Sequence, residues 1–258
     1  MRVISILFFL TFLILPLFAQ QTAQLEFDKA NTLLEEGDYR GALKGYQKIE
    51  SQGSISGPLY LNMGISAVQI DSLGLAKYYF LKTIKYFPEI PETSAQAARA
   101  LEFVNSQFSR QSATLPKLPW DKAVDWLKEG PSSSGVFWLG YSLGMIAIII
   151  VLGNWFHFFS FKKQHSLILI FAISSVLIIA LAFYVSYIDK RYDEAVMVHQ
   201  EAQVFQSPDE ISSVVSLAYE GYTLTIDFII SNDNPAWYYV RLGNGQYGWI
   251  NKNVVYPL

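Results

Sequence analysis

The sequence predicts a multidomain membrane protein: an all-α array of helical repeats, two transmembrane helices and a small all-β barrel, in that order along 258 residues. Three observations predict it. Two long stretches without Asp, Glu, Lys or Arg are separated by a short loop that holds Lys162 and Lys163. Ahead of them, small and aromatic residues recur at an interval of 34 positions, and beyond Arg191 apolar residues alternate with a period of two. Hydrophobic residues make up 52% of the chain and charged residues 16%, a balance too apolar for an ordinary soluble protein.

Residues 1–19, MRVISILFFLTFLILPLFA, join a lone Arg2 to a long apolar core, with Leu17 and Ala19 at the minus-three and minus-one positions of a cleavage site. They are expected to serve as a signal peptide or as an uncleaved anchor, and in both cases the following segment is exported. The chain has no cysteine, so its exported domains must hold together by packing, without disulfides. A net charge of −3 gives no footing for a nucleic-acid partner.

From 23 to 108 the chain is helical in pattern and self-similar. Ala30 aligns with Gly64, Ala42 with Ala76 and Tyr46 with Phe80. Tyr60, Met63, Gly64, Ala67, Ala76, Phe80 and Pro88 follow the spacing W-x2-L-G-x2-Y, A-x3-F, P with conservative replacements. In EEGDYRGALKGYQKI, Gly37 and Asp38 make the turn between paired helices. The same offset places Ala98 and Leu101 in a third first-helix with Thr93 or Ser94 as its N-cap. This region resembles tetratricopeptide (TPR) domains, with two repeats and a closing helix. The resemblance implies a concave protein-binding groove in which Asn31 and Asn62 hold the backbone of a ligand. Phe27, Glu92 and Gln96 stand where carboxylate-clamping members carry basic residues, so a general groove is expected. The plainer role for both asparagines is to solvate helix surfaces.

Residues 109–134 form a linker. Its first part, SRQSATLPKLP, has two prolines and no periodicity. In WDKAVDWLKEG, Trp120, Ala123, Val124 and Leu127 make an apolar stripe on a short amphipathic helix, which lies along the headgroups or caps the repeat array.

Residues 135–159 and 167–187 are the transmembrane helices. At 1.5 Å per residue each reaches roughly 30 Å or more, enough for the hydrocarbon core. Trp138, Tyr141, Trp155, Tyr184 and Tyr187 sit near their ends, where amphipathic rings favour headgroups. The loop 160–166 carries two lysines and no acid, so it is expected in the cytoplasm with both flanking domains outside. Gly140 and Gly144 form a GxxxG that lets a helix approach closely, marking a packing seam within the membrane.

Residues 194–258 read as an all-β module. Tyr222, Leu224, Ile226, Phe228 and Ile230 alternate with polar residues as in a half-buried strand, and Asn244-Gly245 suits a tight hairpin. The segments AVMVHQEAQVFQSPDE, YEGYTLTI and WYYVRLGNGQYGWI together resemble a bacterial SH3 domain. That resemblance implies a five-stranded barrel that docks peptides or cell-wall material. Trp237, Tyr239, Tyr247 and Trp249 are expected to form an aromatic surface for a partner, with burial in a small core as the alternative.

The order of modules resembles BatE-type proteins of the Bat aerotolerance system of some Gram-negative bacteria. The resemblance implies a multi-pass inner-membrane protein with N-terminal and C-terminal domains in the periplasm. Its implied partners, besides the lipid bilayer, are envelope proteins carrying von Willebrand A domains and, indirectly, a MoxR-type ATPase. The three histidines, at 157, 165 and 199, match no H-E-x-x-H, and no P-loop is present, so no catalytic, metal or cofactor site is expected. The expected function is a non-enzymatic scaffold. The alternative is an envelope sensor that binds peptidoglycan fragments or wall peptides through the SH3-like domain.

Overall fold

The computed structural model describes residues 22–110, 122–123, 125–127, 130, 132–158 and 164–258. The expected signal at 1–19, the loop lysines Lys162 and Lys163, and Trp120 and Val124 of the amphipathic stripe lie outside the described residues. The chain divides into two compact units. The first gathers the helical region with residues 194–226 and 233–258; the second holds the apolar helices and residues 227–232.

In the first unit, five helices precede the two long apolar helices: α1 (22–35), α2 (Tyr39–Ser51), α3 (Gly57–Gln69), α4 (Leu73–Tyr86) and α5 (Pro91–Gln107). Gly37, at φ +84°, makes the first turn, and the Asp38 carboxylate accepts from Gly41 N at 2.9 Å to cap α2. Ser56 caps α3 in the same manner through Leu59 N. Residues 34 apart are buried equivalently: Ala30 with Gly64, Ala42 with Ala76, Tyr46 with Phe80. Small residues on α1 and α3 thereby receive the large rings of α2 and α4. One cluster is built from Ala30, Ala42, Tyr46, Leu59, Tyr60, Met63 and Tyr79, and a second from Leu61, Ala67, Ala76, Phe80, Ala97 and Val104. The expected cap of α5 at Thr93 or Ser94 is displaced: the helix begins at Pro91, whose fixed φ suits a first helical position and whose missing N–H costs nothing there.

The β module forms one seven-stranded sheet where five strands were expected. Its strands are β1 (Tyr192–Met197), β2 (Glu201–Phe205), β3 (Val214–Tyr219), β4 (Thr223–Asp227), β5 (Trp237–Leu242), β6 (Tyr247–Asn251) and β7 (Val255–Pro257), in the order β3-β2-β6-β5-β4-β1-β7. Val196, Met197, Val204, Leu224, Ile226, Val240 and Ile250 fill its interior. The strand expected through Ile230 stops at Asp227. There the carboxylate accepts from Ile229 N and Ile230 N, both at 3.1 Å, and starts a short helix, Phe228–Ser231. His199 lies in the bend between β1 and β2. The Asn244-Gly245 hairpin is one residue longer than the tightest type: Leu242 and Gln246 close it, Gly245 alone has positive φ (+85°), and Asn244 Oδ1 accepts from Gln246 N.

In the second unit, residues 122–123 and 125–127 are helical, and two helices are long and apolar enough to cross a membrane, Ser132–Trp155 and Gln164–Arg191. Their bounds differ from 135–159 and 167–187 because the hydrogen-bonded ladder does not end where the apolar run ends. The first stops short at Phe156 and His157, the latter at φ +58°, and the second continues through Asp189, Lys190 and Arg191. Arg191 Nε bonds the buried Asp227 carboxylate at 2.8 Å, and its guanidinium also donates to Tyr187 Oη. Asp227, read as a polar-face residue of an alternating strand, is therefore buried as the partner of a cation and the cap of a helix.

Candidate functional site

The aromatic residues singled out in the C-terminal module are brought together by strand register. In the β5–β6 pair, Tyr239 lies opposite Trp249, Trp237 opposite Asn251 and Arg241 opposite Tyr247. Alternation puts these six side chains on one face, while Val240, Leu242 and Ile250 point into the core. None of the four aromatics is fully buried, and Tyr247 is 52% exposed. The rings of Tyr239 and Tyr247 are nearly parallel, 6.1 Å apart, and Trp249 meets Tyr239 edge-on at 5.2 Å. The Arg241 guanidinium lies 5.8 Å from the Tyr247 ring.

Register extends the face onto β2. Phe205 pairs with Trp249, and its ring stands perpendicular to Trp237 at 5.6 Å. Beside these rings an open cleft of about 330 Å³ is lined by Phe205, Trp237, Gln203, Glu210 and Asn251. Sequence reasoning missed Phe205, Gln203, Glu210 and Asn251, because no local pattern states which strand lies beside β6. The dipeptide Gly248-Trp249 has a steric reason. A Cβ at Gly248 would lie 2.6 Å from Val204 Cγ1 and 2.7 Å from the Phe205 carbonyl oxygen, so β2 passes where any side chain would stand. Gly248 admits β2 on the core side, and Trp249 presents its indole on the other.

Asn31 and Asn62 also come together, through Tyr46. The Asn31 side-chain oxygen accepts from Tyr46 Oη at 2.7 Å and from Asn62 Nδ2 at 3.0 Å. Burial raises the Tyr46 phenol pKa, so the hydroxyl stays a donor. Asn31 Nδ2 and Asn62 Oδ1 are the remaining polar atoms of the pair, both half-buried.

Gly140 and Gly144 pack against the second apolar helix of the same chain. Ser175 Oγ donates to the Gly140 carbonyl at 2.7 Å; a Cβ at Gly140 would lie 2.8 Å from Ile179 Cγ1, and one at Gly144 2.8 Å from Ser175 Oγ. The seam expected from GxxxG is thus filled in cis. Among the described residues no cluster of His, Cys, Asp and Glu is arranged to hold a metal ion.

The family model described as the GW (Gly-Tryp) dipeptide domain matches residues 185–255, a span that includes Gly248-Trp249 and the whole aromatic face. The C-terminal part is a GW domain of SH3-like type. No curated protein matches the chain.

Proposed function

We propose that this protein is a membrane-anchored, non-enzymatic wall-binding protein whose GW module holds peptidoglycan or another wall component. GW domains are wall-binding modules, and the one observation that carries the reading is the half-exposed aromatic face of β5 and β6 inside the matched segment. Rigid rings give large contact area at low entropic cost. The apolar helices anchor it. Their outward side chains, Ile149, Leu152, Leu177 and Phe183 among them, are exposed in the hairpin, as lipid-facing residues are.

Two crossings return the chain to the side it left. The helical region and the β module are also packed against each other, which supports a head that lies entirely on one side of the membrane. With Lys162 and Lys163 in the cytoplasm, that side is the periplasm. The test is co-sedimentation of the detergent-solubilised chain with purified sacculi. Binding that falls at least tenfold in Trp249→Ala or Tyr239→Ala supports the proposal, and a chain that stays in the supernatant ends it.

A second reading, favoured by the Asn31–Tyr46–Asn62 cluster, is a scaffold. The paired helices act as tetratricopeptide repeats, and Asn31 Nδ2 with Asn62 Oδ1 offers a donor and an acceptor to a partner's backbone amide. A BatE-type role beside von Willebrand A domain proteins belongs to this reading. Crosslinking in intact cells tests it, with Asn31→Ala/Asn62→Ala expected to lose the attached partner.

A further inference from the structure

Resting on the wall-binding reading, we propose that the β5–β6 face takes the carbohydrate strand of the wall, an uncharged run of pyranose rings, and not its peptide or an anionic polymer. The first reason is topological. Peptides are commonly gripped by adding a strand to a free sheet edge. β5 and β6 are interior strands, flanked by β4 and β2, so neither is a sheet edge. Recognition at this face falls to side chains alone. Those side chains form a row, Tyr247, Tyr239 and Trp249, with Trp237 standing against the buried Phe205, and ring centroids are 5.2 to 6.1 Å apart where they touch. Such a row offers partly exposed aromatic surface to a polymer of flat, C–H-rich units.

The second reason is the polar chemistry at the end of the row. Gln203, Asn251 and Glu210 line the cleft beside Trp237. The amides of Gln203 and Asn251 donate and accept and the Glu210 carboxylate accepts, which suits hydroxyl and N-acetyl groups. The third is charge. Arg241 is the one cation among the six side chains of the β5–β6 face, and Glu210 sits at the cleft, so the surface balances and offers no basic patch for a polyphosphate.

Competition separates the possibilities. The full-length chain in a detergent without a sugar headgroup is bound to intact sacculi. It is then challenged with glycan strands stripped of their peptides by an amidase, or with free stem peptide. Displacement by the strands and not by the stem peptide is expected, with Gln203→Ala weakening strand binding about threefold or more and leaving the thermal midpoint unchanged. Any other pattern of displacement from bound sacculi overturns the carbohydrate assignment and leaves the wall-binding reading standing. Failure to bind sacculi at all ends both.

Discussion

Gly74 N donates a 2.7 Å hydrogen bond to the Glu220 carboxylate, joining the first turn of α4 to the β3–β4 turn across 146 positions of sequence. Ser72, at the N-cap of α4, makes no side-chain capping bond, so a carboxylate from the β module serves instead. Around it Lys77 Nζ donates to the Gly221 carbonyl at 2.7 Å, Tyr78 meets Tyr256 edge-on, and Arg110 lies over Tyr219. Glu220→Ala is expected to weaken this turn by about 1 kcal/mol. Hydrogen exchange of the Gly74 amide should accelerate roughly fivefold. Gly74→Ala should do more, because its Cβ would lie 2.7 Å from the Met197 carbonyl and 3.0 Å from Val198 Cα, neither of which is a flexible side chain.

Gly248→Ala sets a Cβ against β2 backbone and Val204. Overpacking of this kind costs about 1–3 kcal/mol. The midpoint of the β module in a thermal melt should fall, and sacculus binding should fall with it. Tyr247→Ala, on a half-exposed ring, should leave the midpoint nearly unchanged while weakening binding.

In the apolar hairpin, Ser175→Ala removes the bond to the Gly140 carbonyl. An interhelical bond in a membrane is worth about 0.6 kcal/mol on average, so a small loss is expected. Gly140→Ile should separate the helices, since even a Cβ meets Ile179 N at 3.1 Å. Crosslinking between engineered cysteines on the two helices, in a chain that has none of its own, reads both effects.

Stability should fall in alkali. Burial, the largest cause in each case, raises the phenol pKa of Tyr46, Tyr60, Tyr78 and Tyr79. Unfolded tyrosine ionises near pH 10. Above that pH the unfolded chain loses protons that the folded chain keeps, so folding weakens as pH rises. Burial works against the charge of Lys82, yet its bonds to Glu50 and Tyr60 raise its pKa, and that contribution too is lost with rising pH. Lys77 has the opposite sign: burial lowers its pKa, and the penalty on its charge is relieved as pH approaches about 10.5. Four phenols and Lys82 outweigh one amine. Circular-dichroism melts at pH 8, 10 and 11 should show a falling midpoint, with a shallower fall in Tyr79→Phe.

The proposed periplasmic placement of both domains predicts that tags placed after Gln52 and after Asn253 are reached together by protease added to spheroplasts, while a tag between 160 and 163 is protected. Reversed accessibility would move the head to the cytoplasm, and a split result would break its packing.

Much of the outline was legible because it is written in short-range pattern. The 34-residue spacing marks Ala30, Ala42 and Tyr46 as the buried equivalents of Gly64, Ala76 and Phe80, and two uncharged runs mark the apolar helices. Alternation in WYYVRL and QYGWI puts Trp237, Tyr239 and Trp249 on one side of their strands. The same alternation misled at Phe228 and Ile230, where the Asp227 carboxylate offered the backbone a helical start that periodicity does not register.

The sequence by itself determined which residues share a face within each helix or strand, since that depends only on the 3.6 and 2.0 periods of the backbone. The tertiary structure alone decided which faces meet: β2 beside β6, so that Phe205 joins Trp249; Ser175 against Gly140; and Glu220 at the open end of α4. Those pairings arise from packing and hydrogen-bond satisfaction between segments distant in the chain, and no local stretch of residues encodes its partner's register.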